Sequence, residues 1–450
     1  METITAIATP HGTGGMAVIR ISGPYAIQRA AEVFQPVKGI SPLDMPGYTC
    51  AYGHFVRDGE RLDDVVLTVF RAPHSYTGED VAEISCHGGR FLTEHLLRAV
   101  LCPEVRLAQA GEFTRRAFLN GKLSLTQAEA VADLIAASGE NAMRCARSLR
   151  DGATYRKITT FSKTLLDMLA ELAVWADYPD EDIPGVDGGA LTERLTALLS
   201  DMQTLLHTYD YGRILREGLH TAIVGRPNVG KSTLFNLLSG VQRSIVTDIA
   251  GTTRDVIEEQ VRIGGIALRL SDTAGVHETD EQIERMGVER SLAYLRQADL
   301  VLAVFDTSEP CTPEDLSLLE ELPFERTVCV CNKTDKGQVW KPEGEFADYA
   351  AISAKSAGNI RELEQAVLRF AERQAVSAED GMIANERQRG CLAQAVEAVQ
   401  EALEALELGL AYDAVTVSLD GAADALLQLT GERITDKVAD TVFERFCVGK

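Results

Sequence analysis

The sequence predicts a multidomain α/β protein, because three kinds of hydrophobic pattern follow one another along the chain. Residues 1–118 mix strand-like runs with a helical run and are expected to form an α+β domain. Residues 119–216 and 376–450 place apolar side chains three and four positions apart, as amphipathic helices do. Residues 217–375 alternate strand-like and helical runs, the pattern of a doubly wound, mostly parallel sheet. We therefore expect the third segment to be inserted into a helical bundle built from the segments on either side.

Composition and charge narrow the class of protein. With 44 Lys and Arg against 67 Asp and Glu, the 450-residue chain has a net charge of −23, which argues against a broadly basic surface that coats nucleic acid. A local basic patch, or a partner that carries the nucleic acid, is compatible with this charge. Cys329 and Cys331 alternate on a predicted strand, as small apolar residues do. Without a C-x-x-C pair, a signal peptide or a long apolar run, we expect a reducing cytoplasm and no membrane.

The first segment contains alternating apolar runs that are typical of strands. The expected strands are Ile4–Ala8, Met16–Ile21, Asp64–Phe70 and Val81–Ser85, and the expected helix is Phe91–Leu101. Arg20 and Glu83 fall on two of these strands, where each side chain faces either solvent or a ligand. The residues alone favour the solvated interpretation, because no single pattern in this segment indicates a chemistry.

Periodic apolar residues predict further helices before and after the third segment. They are Leu125–Ile135, Ser162–Trp175, Leu191–Tyr209, Ala393–Leu408 and Ala411–Leu427. Pro179, Pro184 and Gly185 interrupt the series, and the acidic residues around them are typical of a solvated turn.

The strongest motif lies at Gly225–Thr233 and fits the phosphate-binding loop G-x-x-x-x-G-K-[ST]. The apolar strand Thr221–Val224 precedes it and the helical run Leu234–Leu238 follows it, so a chance glycine loop is a poor explanation. Backbone N–H groups and the helix N-terminus would hold phosphate oxygens. Lys231 would reach the β- and γ-phosphates and Ser232 would hold Mg²⁺. The expected nucleotide contacts in this loop are Asn228, Val229, Gly230, Lys231, Ser232 and Thr233.

Two motifs that would respond to the γ-phosphate follow the loop. Asp272-Thr273-Ala274-Gly275 comes after a strand, where Asp272 can hold a Mg²⁺-bound water and the Gly275 N–H can meet the γ-phosphate. Gly251–Asp255 lies between the two motifs as the expected first switch, with Thr253 able to close on Mg²⁺. The expected strands of the sheet are Ile266–Ser271, Leu300–Asp306, Thr327–Cys331 and Ala350–Ile352.

A third motif predicts recognition of guanine. Asn332, Lys333 and Asp335 form N-K-x-D at the end of a strand. The Asp335 carboxylate can accept two hydrogen bonds from guanine, whereas adenine has no matching pair of donors and would leave a buried carboxylate unpaired. Ser353-Ala354-Lys355 supplies a loop near the base. Four motifs in this order predict a GTP-binding domain.

The residues leave open how water is positioned for hydrolysis. Val276 follows D-x-x-G, where Ras has the glutamine that orients the attacking water. Glu284 is the best candidate for this role, and a solvated helical glutamate is the alternative. No arginine finger is evident, but Asn228 and the carbonyl groups of the loop Ser244–Thr253 offer oxygen ligands to a monovalent cation that would supply positive charge.

Three further stretches narrow the family. They are Arg20-Ile21-Ser22-Gly23, the run GEFTRRAFLNGK at Gly111–Lys122, and Phe446-Cys447-Val448-Gly449-Lys450 at the C-terminal end. Together with G-R-P-N-V-G-K-S, G-T-T-R-D, D-T-A-G and N-K-T-D, they make the whole chain resemble the MnmE (TrmE) family of tRNA modification GTPases.

This resemblance implies a set of domains and ligands. Residues 1–118 would bind 5-formyl- or 5,10-methylene-tetrahydrofolate and form a homodimer, and a GTPase domain at 217–375 would be inserted between helical parts 119–216 and 376–450. The implied folate contacts are Arg20, Glu83, Lys122 and Lys450; the implied K⁺ contacts are Asn228, Thr247, Ile249 and Thr252; and the implied Mg²⁺ contacts are Ser232 and Thr253. The GTP contacts would include Thr247, Asp248, Ile249, Ala250, Gly251, Thr252, Thr253, Asp272, Thr273, Ala274, Gly275, Asn332, Lys333, Asp335, Ser353, Ala354 and Lys355.

The resemblance also implies an activity. With the FAD-binding partner MnmG, the protein would add a carboxymethylaminomethyl or aminomethyl group at C5 of the wobble uridine of certain tRNAs, and K⁺-dependent pairing of GTPase domains would drive GTP hydrolysis. Glu284 matches the family's water-orienting glutamate. Cys447 matches a cysteine of suspected catalytic role, and a buried structural thiol is the alternative, because a reactive thiol needs surroundings that lower its pKa.

Two function classes remain open at this point. The first is the folate- and GTP-dependent enzyme of tRNA modification. The second is a ribosome-assembly GTPase that shares the nucleotide-binding domain and acts as a switch without one-carbon chemistry. The terminal Cys-Val-Gly-Lys and the segment around Arg20 favour the first, since a pure switch needs neither.

Overall fold

The structure, a computed structural model, describes residues 2–10, 12–137, 139–177, 187–241, 259–263, 266–271, 295, 298–373, 381–433, 435–444, 446 and 449. The chain divides into two compact units. The first unit comprises Met1–Ala132, Tyr155–Thr192 and Glu397–Lys450, and the second comprises Asp133–Thr154 and Glu193–Val396. The chain therefore leaves the first unit and returns to it twice.

A mixed sheet of seven described strands organises the first unit, in the order β3-β4-β5-β6-β2-β1-β7. The strands are β1 Thr3–Ile7, β2 Met16–Ser22, β3 Phe34–Pro36, β4 Thr49–Arg57, β5 Glu60–Phe70, β6 Val81–His87 and β7 Val105–Leu107. Neighbouring strands are antiparallel except for the parallel pair β1 and β7. Arg20 on β2 pairs in register with Glu83 on β6, so the two side chains point to the same face.

Four of the described helices belong to this unit near the sheet. They are α1 Ala26–Val33, α2 Arg90–Val100, α3 Glu112–Leu119 and α4 Leu125–Ala136. Helices α1 and α2 pack in the main core of the sheet, whereas α3 packs on β1 through Phe113 and α4 packs with Phe443. Ile19, Ile21, Phe55, Leu67 and Ile84 are fully buried in the core. Each such side chain contributes about 1.5–3 kcal/mol when it leaves water, which explains why alternate residues of the strands are apolar. The predicted α+β domain is thus present, with three strands, β3, β4 and β7, that the sequence patterns missed.

The remaining described helices lie in the two segments whose apolar period predicts helices, and four of the seven contain most of a predicted helix. The seven are α5 Glu140–Arg150, α6 Ala153–Asp177, α7 Gly188–Leu206, α8 Tyr209–Glu217, α12 Glu386–Glu407, α13 Tyr412–Thr430 and α14 Asp436–Phe443. The single helix predicted at Leu191–Tyr209 is wrong, because the chain breaks between α7 and α8. At the break, the Thr208 hydroxyl donates to Leu205 O at 2.6 Å and accepts from Ile383 N at 3.0 Å.

The second unit contains a sheet of six described strands in the order β13-β12-β11-β8-β10-β9. The strands are β8 Leu219–Val224, β9 Glu259–Ile263, β10 Ile266–Ser271, β11 Leu300–Asp306, β12 Thr327–Asn332 and β13 Asp348–Ala351. All neighbours are parallel except β9 and β10. The predicted doubly wound, mostly parallel sheet is confirmed.

Helices lie on both faces of this parallel sheet. They are α9 Lys231–Val241, α10 Pro313–Glu321 and α11 Ile360–Arg373. Leu234 of α9 and Val367 of α11 belong to one buried cluster, whereas α10 packs on the other cluster. Cys329 and Cys331 lie in the second cluster at 0% and 3% exposure, so their interpretation as small apolar residues is confirmed. None of the described helices combines the length and apolar composition needed to span a bilayer.

Candidate functional site

The phosphate-binding loop connects β8 to α9 at the carboxyl end of the parallel strands. Gly225 and Gly230 have positive φ angles of 155° and 104°, and a Cβ at either position would overlap Val304 O or the amide nitrogen of Asn332. Only glycine both adopts these φ angles without strain and leaves room for the neighbouring atoms. Asn228 also has a positive φ, 64°, and its side chain is exposed. The loop therefore packs tightly against two neighbouring strand ends and presents Asn228, Ser232 and Thr233 outward.

Lys231 is the first residue of α9 and reaches back over the loop. Its Nζ donates to Gly225 O at 2.7 Å and to Arg226 O at 2.9 Å. Burial lowers the pKa of this amine from its ordinary value. An incoming phosphate would give this partly desolvated ammonium an anionic partner, which is the role that the motif assigns to it.

Asn332 joins the phosphate-binding loop to the base-recognition loops. Its Nδ2 donates to Val229 O at 2.7 Å, and its Oδ1 accepts from Ala354 N at 2.9 Å. The side chain is 2% exposed, so both bonds are sheltered from water. Asn332 thus fixes the spacing between the loop for the phosphates and the loop for the base.

Asp335 and Ser353 form the expected base-recognition edge. The Ser353 hydroxyl donates to Asp335 Oδ1 at 2.6 Å, and this bond lowers the pKa of the carboxyl group. The Asp335 side chain is exposed, whereas the sequence argument assumed a buried carboxylate. The base itself, rather than the protein, must therefore exclude water from this carboxylate.

Two ion pairs that the sequence patterns did not indicate hold this region. Lys333 Nζ lies 2.5 Å from Asp306 Oδ2 at the end of β11. Arg226 Nε lies 3.2 Å from Asp315 Oδ2, whose side chain is fully buried at the start of α10. Because the partners are far apart in sequence, no local spacing signals either pair. They tie the phosphate-binding and base-recognition loops to strand and helix ends.

A second candidate site surrounds Arg20 in the first unit. Arg20 Nε donates to Glu83 Oε1 at 2.7 Å, and the side chains are only 20% and 25% exposed. The guanidinium also lies 5.9 Å from the ring centre of Tyr76 and 5.5 Å from that of Phe113. The solvated interpretation of Arg20 and Glu83 is therefore wrong. A partly buried cation framed by a carboxylate and two rings offers hydrogen bonds and stacking to a planar polar ligand.

The C-terminal segment packs on this second site. Arg20 Nη1 donates to Gly449 O at 3.3 Å. Gly449 has φ 101°, and a Cβ there would overlap Ile7 O on β1. Phe446 is 7% exposed and packs with Phe443 and Leu125. The structure thus brings the C-terminal motif to Arg20, although it does not describe Cys447 or Lys450.

Lys122 lies on the loop after α3. Its Nζ donates to Pro73 O at 3.0 Å. The Pro73–Asp80 loop also carries Tyr76, which lies against Arg20. Lys122 borders a cavity with an accessible volume of about 470 Å³, which Phe118, Gln127 and other residues of the first unit line. A direct contact between Lys122 and Arg20 is not among the described contacts.

A charged network lies beneath the GEFTRRAFLNGK run. Arg116 is 4% exposed and lies 3.0 Å from both Glu79 and Glu112. Burial opposes ionisation of Glu112, but Arg106, the Gln109 N–H and Arg116 together lower its pKa to about 2. This network positions α3, which carries Phe113 against Arg20.

We expect Glu112 to make the first unit sensitive to acid. Because the folded pKa is below the ordinary value of 4.5, the stabilisation is complete above about pH 4.5 and is lost as the pH falls toward 2. Glu112→Gln should lower the free energy of unfolding by about 2–3 kcal/mol at pH 7 and by little near pH 2. Urea unfolding at several pH values measures the difference, with the exposed Glu104→Gln as the control. Parallel pH profiles for Glu112→Gln and the unmodified protein would contradict this role.

Several predicted site residues lie outside the described residues. They are Thr247, Asp248, Ile249, Ala250, Gly251, Thr252, Thr253, Asp272, Thr273, Ala274, Gly275, Glu284, Cys447 and Lys450. The described members of the GTP set, by contrast, come together at the carboxyl ends of β8 and β12 and after β13. Lys355 is exposed beside the Ser353 loop, and its charge helps to lower the pKa of Asp335.

A phosphate-binding loop joined through Asn332 to an N-K-x-D loop on a parallel sheet defines the class of P-loop GTPases. Two family models match the chain. The family described as MnmE helical domain matches residues 125–447, and the family described as GTP-binding protein TrmE N-terminus matches residues 3–122.

Full-length relatives identify the family. The tRNA modification GTPase MnmE of Clostridioides difficile (strain 630) is 40% identical over 455 residues, covering 100% of this chain and 99% of that protein. The tRNA modification GTPase MnmE of Listeria welshimeri is 42% identical over 457 residues, with 100% and 99% covered. A solved structure of Era with MgGDPNP and 16S ribosomal RNA is 28% identical over 40% of this chain and 66% of that one, with a TM-score of 0.27, too low to support a structural argument. The chain belongs to the MnmE family of tRNA modification GTPases.

Proposed function

We propose that this GTPase, together with the FAD-binding protein MnmG, adds a carboxymethylaminomethyl or aminomethyl group at C5 of the wobble uridine of certain tRNAs. A tetrahydrofolate, in the 5-formyl or 5,10-methylene form, supplies the one-carbon unit. The full-length relatives named for tRNA modification support this function over a ribosome-assembly switch. The cytoplasm is the proposed location, and a homodimer through the N-terminal domain is the proposed assembly.

The convergence of Arg20, Glu83 and the C-terminal Gly449 is the observation that carries the proposal. The Arg20–Glu83 pair offers a donor face and an acceptor to the polar edge of a pterin ring, and Tyr76 lies beside it for stacking. Lys122 and Lys450 would then hold the anionic part of the folate. A GTPase that acts only as a switch needs no such site, because its nucleotide binds on the other sheet.

The folate proposal is tested by equilibrium binding of 5-formyl-tetrahydrofolate. Arg20→Ala should weaken binding by roughly 10²-fold, because hydrogen bonds to a charged group contribute about 1.5–3 kcal/mol. The exposed Arg57→Ala, on β4 of the same sheet, is the matched control and should bind normally. Equal affinity of all three proteins, or no binding by the unmodified protein, would refute a folate site at Arg20.

The proposal also includes the division into domains and the metal sites of the GTPase domain. Residues 1–118, 119–216 with 376–450, and 217–375 are the proposed folate, helical and inserted GTPase domains. The exposed Ser232 hydroxyl at the start of α9 supports a Mg²⁺ role with Thr253, and the exposed Asn228 supports a K⁺ role with Thr247, Ile249 and Thr252. Glu284 is the proposed water-orienting residue, and Cys447 is a candidate catalytic thiol.

We expect GTP hydrolysis to depend on which monovalent cation is present. A site lined by several oxygen atoms distinguishes cations by size and ligand number, so KCl should support turnover and NaCl should support it poorly. The bound cation would order the loop Ser244–Thr253, on which two GTPase domains would pair. Asn228→Ala should reduce the stimulation by K⁺ with little effect on GTP affinity, because Lys231 and the loop amides remain.

Turnover in matched KCl and NaCl checks this mechanism. Glu284→Ala is the matched variant, because it should slow hydrolysis while K⁺-dependent pairing, measured by light scattering with a GTP transition-state analogue, persists. Equal rates of the unmodified protein in the two salts would exclude the cation mechanism and make Arg254 the first arginine to test.

A further inference from the structure

One stretch of this acidic chain is strongly basic. Residues 143–163 contain six Lys and Arg residues and one Asp, a net charge of +5, whereas the whole chain has a net charge of −23. The first half of the stretch forms the C-terminal part of α5 with Arg144, Arg147 and Arg150. The second half begins α6 with Arg156, Lys157 and Lys163. Neither helix contributes to the phosphate-binding loop or to the Arg20 site.

The arginines of α5 share one face of the helix. Residues three apart are neighbours on a helical surface, and all three arginines are exposed. The opposite face carries Ala142, Cys145, Ala146 and Leu149, which are buried, and α5 packs on α8. The side chains of Arg147 and Arg150 are 73% and 43% exposed. We call these three residues the α5 arginine face.

Acidic residues offset part of this positive charge. Asp151 lies 3.8 Å from Arg147 and 2.9 Å from Arg150, and it is itself 50% exposed. Asp133 pairs with Arg216 of α8 and lies near the buried Cys145, away from the arginine face. With Glu140 in its first turn and Asp151 at its C-terminal cap, α5 has three arginines against two carboxylates, a net charge of +1.

The helix dipole explains only part of this arrangement. Basic side chains in the last turn of a helix stabilise it by about 0.3–1 kcal/mol, and this accounts for Arg147 and Arg150. Arg144 lies before the last turn, and its guanidinium contacts only an amide oxygen, that of Asn141, at 3.1 Å among the described contacts. Three exposed guanidinium groups along one face match the repeated negative charge of a nucleic-acid backbone.

We propose that the α5 arginine face binds the phosphate backbone of the RNA substrate. This inference rests on the proposed role in tRNA modification. It adds a surface for binding RNA to the nucleotide site and the Arg20 site. The contacts are made to phosphates, so they position the RNA without reading its sequence. A local basic face also explains how a protein with a negative net charge can bind RNA. It attracts the phosphate backbone to one surface, while the acidic remainder of the protein repels it.

The test replaces Arg144, Arg147 and Arg150 by Ala together and measures binding of a tRNA transcript by fluorescence anisotropy, with NaCl varied at fixed KCl. Each lost phosphate contact should reduce the slope of log K against log salt by about 0.7–0.9, so the triple variant should lose about 2–3 units of slope. At 0.1 M salt the Kd should rise by roughly 10–100-fold. An RNA hairpin of unrelated sequence should lose affinity to the same extent.

A charge-matched control separates a local surface from the net charge of the protein. Arg57→Ala, Arg98→Ala and Arg361→Ala together remove three exposed arginines elsewhere and should change the salt slope by less than one unit. GTP hydrolysis should be normal in both triple variants, because the replaced side chains lie on exposed faces outside the nucleotide site. The thermal unfolding midpoint of the α5 variant should fall slightly, because Arg147 and Arg150 stabilise the C-terminal end of the helix.

The outcomes decide between three explanations. An unchanged Kd and salt slope in the α5 variant would overturn the proposal, and so would an equal loss in the control variant. If polyglutamate binding weakens while RNA binding does not, the face docks an acidic protein and the RNA proposal is wrong. If the α5 variant binds normally and still modifies tRNA with the partner, only this inference fails; if the unmodified protein modifies no tRNA, the proposed function itself fails.

Discussion

Asp335→Asn should convert the protein from a GTP-binding to an XTP-binding protein. In the unmodified protein, the carboxylate accepts two hydrogen bonds from guanine, and Ser353 holds it in place at 2.6 Å. Two charge-assisted hydrogen bonds of about 1.5–3 kcal/mol each correspond to a loss of roughly 10²–10⁴-fold in GTP affinity. An asparagine amide instead donates to the carbonyl group that xanthine carries at the changed position, so XTP should regain most of this affinity.

The measurement is a competition of GTP and XTP for a fluorescent guanine nucleotide. Glu345→Gln removes an exposed carboxylate from the same sheet domain and is the matched control, which should bind GTP normally. Because the Ser353 hydroxyl lowers the pKa of Asp335, the carboxyl group is ionised at neutral pH and GTP preference should not change between pH 6 and 8. Unchanged GTP affinity in Asp335→Asn would show that the base is recognised elsewhere.

Most strands of the parallel sheet could be predicted from the sequence because they are short, mainly apolar runs, whereas β9, with the sequence EQVRI, was missed. The predicted strands Ile266–Ser271 and Leu300–Asp306 agree with β10 and β11 to the residue. The strand β4, Thr49–Arg57, was missed, because its Gly53 and His54 break the apolar pattern and its pairing with β5 determines its conformation. Local patterns therefore predict elements that are buried on both faces better than strands that depend on a neighbour.

The sites could be predicted only as far as their motifs are local. The phosphate-binding loop and N-K-T-D are each contiguous in sequence, and the structure places them after β8 and β12, two strands of one sheet that β11 separates. Arg20, by contrast, contacts Glu83 and Gly449, which are 63 and 429 residues away. Hydrophobic periodicity does not reveal contacts between residues so far apart in sequence. The residues alone therefore indicated that the Arg20 side chain is solvated. The network of Arg116, Glu79 and Glu112 was missed for the same reason.

Removing Cys447–Lys450 should abolish tRNA modification and leave intrinsic GTP hydrolysis near normal. The cut spares Phe443 and Phe446, which anchor the segment in an apolar cluster with Leu125. It removes Gly449, whose carbonyl oxygen accepts a hydrogen bond from Arg20. It also removes the Cys447 thiol and the Lys450 amine, which are proposed to act at this site. GTP hydrolysis should persist, because the phosphate-binding loop belongs to the other compact unit.

Gly449→Ala tests the same segment without deleting a functional group. A Cβ at Gly449 would overlap Ile7 O, and its φ of 101° is strained for alanine, so the segment must shift away from Arg20. A displacement of about 1 Å can reduce a rate by roughly 10²-fold, and we expect modification to fall by that factor. Gly421→Ala in α13, where a Cβ meets no atom, is the matched control and should modify tRNA normally. A reconstituted assay with the partner measures all four proteins. Full modification by the truncated protein would exclude the C-terminal segment from the site.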